Sequence, residues 1–408
     1  MPEYGNLVIE VTSSFGRRPI PNAKIAISYE GDPENTLEEL YTDTNGKSEQ
    51  IALPAPPPEY SITPLERQPY SVYTLTVTAS GFQTLIISGT EILPTVTALQ
   101  NASLIPVNEP LVDDIITIPA HTLYGDYPPK IPESEVKPLN ETGEIVLSRV
   151  VIPETIIVHD GPPEATTAMN YYVSYKDYIK NVVSSEIYAT WDESAIYANT
   201  FAILSFTLNR VYTEWYRNKG FNFTITSSTA FDQKWIYGRN IYENISRIVD
   251  EIFVNYVSRP GIRQPLFTQY CDGRNAACTQ GLSQWGSQEL SQRGYSPIQI
   301  LRNYYGNDVF INTSEVIAGI PSSWPGYNLT IGSTGEKVRM LQEQLNRIAV
   351  DYPSISTVVP DGIYGEQTAR SVRIFQSIFS LPQTGITDFA TWYKVSEIFV
   401  GVSRLSES

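Results

Sequence analysis

Histidine, cysteine and methionine are scarce in this sequence: 408 residues hold two His, two Cys and three Met. Two cysteines, Cys271 and Cys278, are too few for the disulfide scaffold of a small secreted domain. Two histidines, His121 and His159, leave little material for a His-rich zinc centre. No run approaches 18 consecutive apolar residues, which excludes a membrane-spanning helix. Clustered basic residues are also absent. Lys and Arg number 28 against 44 Asp and Glu, a net charge of −16, so a polyanionic nucleic acid is not the expected partner. Met1-Pro2-Glu3-Tyr4-Gly5 has neither a basic n-region nor an apolar h-region, so the expectation is synthesis without an evident signal peptide. What is present is apolar and aromatic material. Hydrophobic residues make up 41% and aromatics 12%, enough for a sizeable core and too much for a disordered acidic chain.

The composition divides the chain. Residues 1–150 carry 20 acidic and 8 basic side chains, net −12, and 18 of the 29 prolines. All six Trp lie beyond residue 150, and residues 151–408 have a net charge of only −4. The expected fold class is multidomain α+β. Its parts are a β-sandwich at 1–104, a Pro-rich linker or pro-segment at 105–150, a mixed α/β core with long helices at 151–327, and a three-helix module at 328–408.

Alternation at Leu7, Ile9 and Val11, and at Leu75 and Val77, predicts strands, with Leu85 and Ile87 less regular. Turn residues at Asn45-Gly46 and Ser80-Gly81 separate them. Tyr127-Pro128-Pro129-Lys130-Ile131-Pro132-Glu133 should be extended, because each proline pushes its predecessor out of the helical region; the segment reads as one that drapes over something. Residues 171–218 read as helical, with an apolar stripe of Ile179, Val182, Val183 and Ile187. Phe201, Leu204, Leu208 and Val211 form a second stripe, beside a line of small residues, Ala195, Ala198, Ala202 and Ser205, that would admit a close neighbour. A helix is expected near 240–257, and 284–305 should hold two short helices broken at Gly294. In the last module Val338, Leu341, Leu345 and Ile348 mark one helix, and Ala369, Val372, Phe375 and Phe379 another.

Glu186 is the residue type and position most suggestive of chemistry. It lies four residues after Val182 and seven after Ile179, on the apolar stripe near the C-terminal end of its helix. Desolvation and the negative helix end both favour the protonated carboxyl, which suits a general acid. A carboxylate at the edge of the stripe whose tip reaches water is the competing reading.

Several stretches resemble known families. Arg18-Pro19-Ile20-Pro21-Asn22, Thr42-Asp43-Thr44-Asn45-Gly46 and Leu53-Pro54 resemble the transthyretin-like, or carboxypeptidase-regulatory, sandwiches, which implies an architecture and no activity. Tyr178-Ile179, Val182-Val183, Ser185-Glu186 and Trp191, then Asp232-Gln233, Tyr237-Gly238, Ser283-Gln284-Trp285-Gly286 and Ile300-Leu301-Arg302-Asn303-Tyr304-Tyr305-Gly306, resemble the stage II sporulation protein D family. Those proteins are peptidoglycan lytic transglycosylases, and the resemblance puts Glu186 in the place of their catalytic glutamate. The sequence departs from that family at Ala277-Cys278-Thr279, where many members have Gly-His-Gly, and at Leu204-Ser205-Phe206, where they have Arg-Thr-Tyr. Cys271 and Cys278, with no His near them, supply two local ligands where zinc wants four, or three plus water; a disulfide or a free thiol pair is preferred to a metal, and no cofactor is expected.

Gly335, Leu341-Gln342, Asp361-Gly362-Ile363-Tyr364-Gly365, Phe375-Gln376, Thr384-Gly385 and Thr391-Trp392 resemble the peptidoglycan-binding-domain-1 family. Tyr364 is the candidate sugar platform there, while Trp392 reads as core. The whole arrangement is similar to the clostridial spore cortex-lytic enzymes, zymogens whose N-terminal region is removed by subtilisin-like germination proteases. That resemblance implies a spore location in the cortex or coat region, synthesis in the mother cell, cortex peptidoglycan as partner, and processing near Ser148-Arg149-Val150-Val151.

The implied reaction needs one acid. Glu186 would protonate the oxygen between N-acetylmuramic acid and N-acetylglucosamine, then take the proton from the muramic C6 hydroxyl as the 1,6-anhydro ring closes. Gln233, Tyr237 and Gln284 are candidate sugar contacts, and Trp285 reads as a pocket wall or a core residue. Two other readings stand beside it. One is an N-acetylmuramoyl-L-alanine amidase, for which Ile156-Ile157-Val158-His159-Asp160 is the only hint and His121 would be lost on maturation. The other is a wall-binding scaffold without catalysis.

Overall fold

The computed structural model describes residues 3–14, 18–64, 67–109, 115–125, 127–137, 147, 149–276, 278, 280–318 and 324–403. Ser148 of the expected processing site, and Ala277 and Thr279 beside the second cysteine, lie outside these residues.

Two sheets form the N-terminal sandwich. Its elements are β1 (Glu3–Ser13), β2 (Lys24–Tyr29), β3 (Thr36–Tyr41), β4 (Ile51–Ala55), the short helix α1 (Glu59–Ile62), β5 (Ser71–Thr78), β6 (Leu85–Ile92), β7 (Thr97–Leu104) and β8 (Ile115–Thr117). The alternation seen in the sequence is the core: Leu7, Ile9, Val11, Leu75, Val77 and Ile87 are completely buried. One sheet runs β3-β2-β5-β6-β8. The other holds β7, β1 and β4, with β1 parallel to β7 and antiparallel to β4.

The core continues with β9 (Val151–Ile152), β10 (Thr155–His159), β11 (Asn170–Ser174), α2 (Tyr175–Glu186) and α3 (Glu193–Tyr212). There follow β12 (Ile225–Thr226), β13 (Ile241–Tyr242), α4 (Glu243–Ile252), β14 (Asn255–Ser258), β15 (Tyr270–Cys271), β16 (Leu282–Ser283), α5 (Gln284–Gln292), α6 (Pro297–Tyr305), β17 (Phe310–Thr313) and β18 (Val316–Ile317). The helical reading of 171–218 needs correction at both ends. Tyr171, Tyr172 and Val173 pair with β10 as a strand, and the helix starts where the Ser174 hydroxyl caps the Asp177 N–H at 3.3 Å. Likewise, the region near 240–257 is helical only within α4, with strands on either side. The small line on α3 does admit neighbours: Ser205 donates to the Leu266 carbonyl at 2.8 Å, and Thr268 donates to the Ala202 carbonyl at 2.6 Å.

The sandwich is fused to the core. Strand β13 adds to β7, so one sheet spans both parts. Asn240 brackets the backbone of Glu91, accepting from its N–H at 3.0 Å and donating to its carbonyl at 3.0 Å. Arg239 pairs with the buried Glu91 carboxylate at 2.5 Å. His121 is completely buried, its ring 4.4 Å from that of Tyr188. Burial first, and Arg239 second, hold its pKa well below the ordinary 6.5. Below pH 6.5 the unfolded chain therefore binds a proton that the folded chain refuses. Stability present above that pH is lost as pH falls, by up to about 1.4 kcal/mol per pH unit. Urea unfolding should show a falling midpoint from pH 7 to 5, and His121→Gln should flatten that slope; an unchanged slope contradicts the assignment.

The C-terminal module comprises α7 (Glu336–Asp351), α8 (Glu366–Ile378) and α9 (Phe389–Ser403). Its two turns are built alike. Gln342 accepts from the Gly362 N–H at 2.9 Å and donates to the Ile363 carbonyl at 3.0 Å; Gln376 does the same to Gly385 and Ile386, at 2.8 Å each. A buried ionic group ties α9 to the core. Lys176 bridges Asp250 at 3.1 Å and Glu397 at 2.6 Å, beside a cavity of about 530 Å³ at the meeting of the three parts.

Candidate active site around Glu186

Glu186 is the last residue of α2 and is completely buried. Four donors surround its carboxylate. Oε1 accepts from the Lys234 N–H at 2.8 Å and the Tyr270 hydroxyl at 3.1 Å; Oε2 accepts from Gln284 Nε2 at 3.1 Å and the Tyr127 hydroxyl at 3.4 Å. Burial, and then the Glu186 charge itself, push both phenols well above the ordinary tyrosine pKa, so each remains a donor.

Local structure aims each group. One turn back on α2, Asn181 accepts from the Ile236 N–H at 2.9 Å and donates to the Ile236 carbonyl at 2.7 Å, which fixes the loop presenting the Lys234 N–H. The Ser283 hydroxyl caps α5 by accepting from the Gly286 N–H at 3.0 Å, so Gln284 opens the helix facing Glu186. A Cβ at Gly286 would sit 2.2 Å from the Tyr304 hydroxyl, so any larger residue there would have to displace that side chain. Cys271 and Cys278 are disulfide-bonded, and the Tyr127 ring packs against them. Two other carboxylates are engaged internally. Asp272 accepts from the N–H groups of Arg274, Asn275 and Ala276, while Asp232 accepts from Arg210, Tyr216 and Thr226. Among the described residues no cluster of His, Cys, Asp and Glu could hold a metal ion.

Residues 127–137 lie across this cleft without helix or strand. Lys130 donates to the carbonyls of Thr229 (3.0 Å) and Asp232 (2.5 Å). Gln269 grips the segment's backbone, donating to the Ile131 carbonyl at 2.8 Å and accepting from the Glu133 N–H at 3.2 Å. Gln264 grips Lys137 in the same manner, at 3.0 and 3.1 Å. Arg210 holds the Glu133 carboxylate with two hydrogen bonds, 2.7 and 3.0 Å.

The expected site residues separate accordingly. Gln284 meets Glu186. Gln233 does not face open space: it is completely buried, accepts from Tyr178 (3.0 Å) and Thr207 (2.7 Å), and donates to the Ile203 carbonyl at 3.2 Å. Trp285 is core, with ring centroids 5.0 Å from Trp191 and 6.0 Å from Tyr188. Tyr237 is half exposed; its ring stacks on Tyr171 at 4.9 Å and lies 6.2 Å from that of Trp235. Tyr364 corrects the expectation of a sugar platform. Its ring is buried and its hydroxyl, 3.0 Å from both the Gly385 carbonyl and the Thr387 hydroxyl, knits the two turns of the module together. Trp392 is buried as well. His159 stacks on Phe223 at 4.5 Å and shares a 2.8 Å hydrogen bond with Asn170. At the expected processing junction Arg149 is exposed, Val150 is buried, and Val151 pairs with Val316. Tyr127, Tyr270, Lys130 and Arg210 were not singled out from the sequence. The only available signal was the extended, Pro-rich segment containing Tyr127 and Lys130.

Comparison with known proteins bears on the last module. Residues 334–395 match the family described as "Putative peptidoglycan binding domain". The match supports peptidoglycan as the polymer this module recognises, and a wall-related role for the chain. No curated protein matches the sequence. Solved structures that match include the Bacillus anthracis TIE protein (15% identity, 26% of this chain and 17% of that one, TM-score 0.18). Others are GBS52, the minor pilin of Streptococcus agalactiae (17%, 28% and 48%, TM-score 0.20), and catechol 1,2-dioxygenase from Acinetobacter (14%, 28% and 58%, TM-score 0.19). The chain thus spans less than two thirds of each of these structures.

Proposed function

We propose that the protein is a peptidoglycan lytic transglycosylase held in a closed form, a spore cortex-lytic enzyme of the SleC type with a sporulation-D-like core. The observation that carries this reading is the setting of Glu186: a buried carboxyl at a helix end, oriented by Tyr270, Gln284 and the Lys234 N–H, with Tyr127 as its fourth partner. Oε2 is the reacting oxygen. Once Tyr127 leaves, Oε2 takes up a proton from solvent; the glycosidic oxygen between N-acetylmuramic acid and N-acetylglucosamine then takes the place of the phenol and receives that proton. The same carboxylate then accepts the proton of the muramic C6 hydroxyl as that oxygen bonds to C1. Atoms balance without water, so no second carboxylate is needed to activate one. Asp232 and Asp272, both engaged internally, fit that single-acid scheme. In this reading the C-terminal module holds the enzyme on the wall, a subtilisin-like protease cuts near the exposed Arg149, and the protein works in the cortex or coat region of the spore.

Mass spectrometry of cortex peptidoglycan after digestion separates this reading from its rivals. The processed chain should release fragments ending in 1,6-anhydromuramic acid. Free stem peptides would indicate an amidase, and an unchanged polymer a scaffold.

A further inference from the structure

The cleft beneath residues 127–137 is lined by polar groups whose partners come from that segment. Gln269 uses both ends of its amide on the backbone of Ile131 and Glu133, although it is buried. Gln264 does so with Lys137, its oxygen accepting also from Asn209 of the core at 3.2 Å. Arg210 is the most telling. Its guanidinium is completely buried and faces two ways. The inner edge is satisfied within the core, Nε donating to Asp232 Oδ1 at 2.7 Å. The outer edge meets the Glu133 carboxylate through both terminal nitrogens; the core lays aromatic rings against the guanidinium, Phe267 at 4.2 Å and Trp215 at 4.9 Å, but its one hydrogen bond to that edge is a 3.2 Å contact to the Phe231 carbonyl. Asp232 has no capacity left over, since Tyr216 and Thr226 occupy its other oxygen.

Removing the segment would leave a bidentate cationic fork open in a low-dielectric groove, which is costly unless another anion enters. Tyr127 and Glu133 are six residues apart, so the fork lies at most about 20 Å along the cleft from the group on Glu186. We propose that the outer edge of Arg210 is a carboxylate subsite of the Glu186 cleft, filled by Glu133 in the closed chain and by a carboxylate of the glycan in the open one. The inference rests on the peptidoglycan reading above. Two carboxylates of that polymer have the right chemistry: the lactyl group of a bare muramic acid and the free terminus of a stem peptide.

The test uses the full chain carrying Lys130→Ser, Glu133→Gln and Glu135→Gln, which removes three of the segment's charged anchors; Glu135 pairs with Arg259 of the core at 2.7 Å. Calorimetric titration compares three probes: the N-acetylglucosaminyl-N-acetylmuramic acid disaccharide, its lactyl amide, and the disaccharide bearing a dipeptide with a free terminus. None contains the scissile bond. At least one carboxylate probe should bind about 10-fold or more tighter than the amide, and which one does so identifies the source. In the unsubstituted chain, where Glu133 competes, that probe should bind at least about 10-fold more weakly. Arg210→Gln in the opened chain should erase the preference for acid over amide. Equal affinity for acid and amide in the opened chain, or no binding of either, overturns the proposal whether or not the Arg210 variant folds. Acid selectivity without 1,6-anhydro products would count against the transglycosylase reading alone; 1,6-anhydro products without acid selectivity would count against the subsite alone.

Discussion

Glu186→Gln in the opened chain should slow the release of wall fragments by at least about 100-fold, the lower bound of what a positioned general acid contributes. Glutamine keeps the shape of the side chain and can still accept from Lys234 N–H and Tyr270 through its carbonyl oxygen. The amide on the other branch cannot deliver a proton to a leaving oxygen. The loss should therefore fall on the turnover step. Cosedimentation with the wall should be unchanged, because residues 334–395, which match the peptidoglycan-binding family, include none of the groups around Glu186. A variant that retained full release would remove Glu186 from the mechanism.

Asp232→Ala is expected to give the largest loss of stability, about 3–5 kcal/mol, as when one partner of a buried ion pair is deleted. Asp232 and Arg210 are both completely buried, and their 2.7 Å contact is the inner support of the cleft floor. The substitution would also orphan the Tyr216 hydroxyl and the Thr226 N–H. Burial, the largest cause of the raised Tyr216 pKa, persists in the variant, so the phenol stays neutral and does not replace the missing anion. Asp232→Asn, which preserves the shape, should fall between wild type and alanine. Denaturant unfolding followed by tryptophan fluorescence reads this directly, since every Trp lies beyond residue 150. A cost below about 1 kcal/mol for the alanine variant would mean that the network is not load-carrying.

The placement of these groups was unevenly legible in the sequence. Local periodicity identified the stripe of α2 and put Glu186 on it, because burial on one helix face depends on residues three and four apart. Period-two alternation marked the sandwich strands in the same local way, and helical spacing marked two of the three helices of the last module. Tyr127 and Tyr270 were invisible for the opposite reason: they approach Glu186 from 59 and 84 residues away, and no local pattern encodes such a meeting. Gln233 and Tyr364 carry polar groups that read equally well as ligand contacts or as internal ties, and the fold makes them internal. The strand at Asn170–Ser174 lay inside a helical reading because only the Ser174 cap marks the change, and its pairing partner β10 lies upstream. The draped segment was legible as extended from its prolines, but not what it covers.

The most direct test of the central claim is the origin of the oxygen at the newly formed muramic end. Cortex peptidoglycan is digested by the opened chain in water enriched in oxygen-18, and the released ends are weighed. Ring closure by the C6 hydroxyl after proton donation by Glu186 predicts 1,6-anhydro ends without label. A labelled oxygen at the muramic C1 would mean that water attacks the bond, and would contradict the single-acid mechanism.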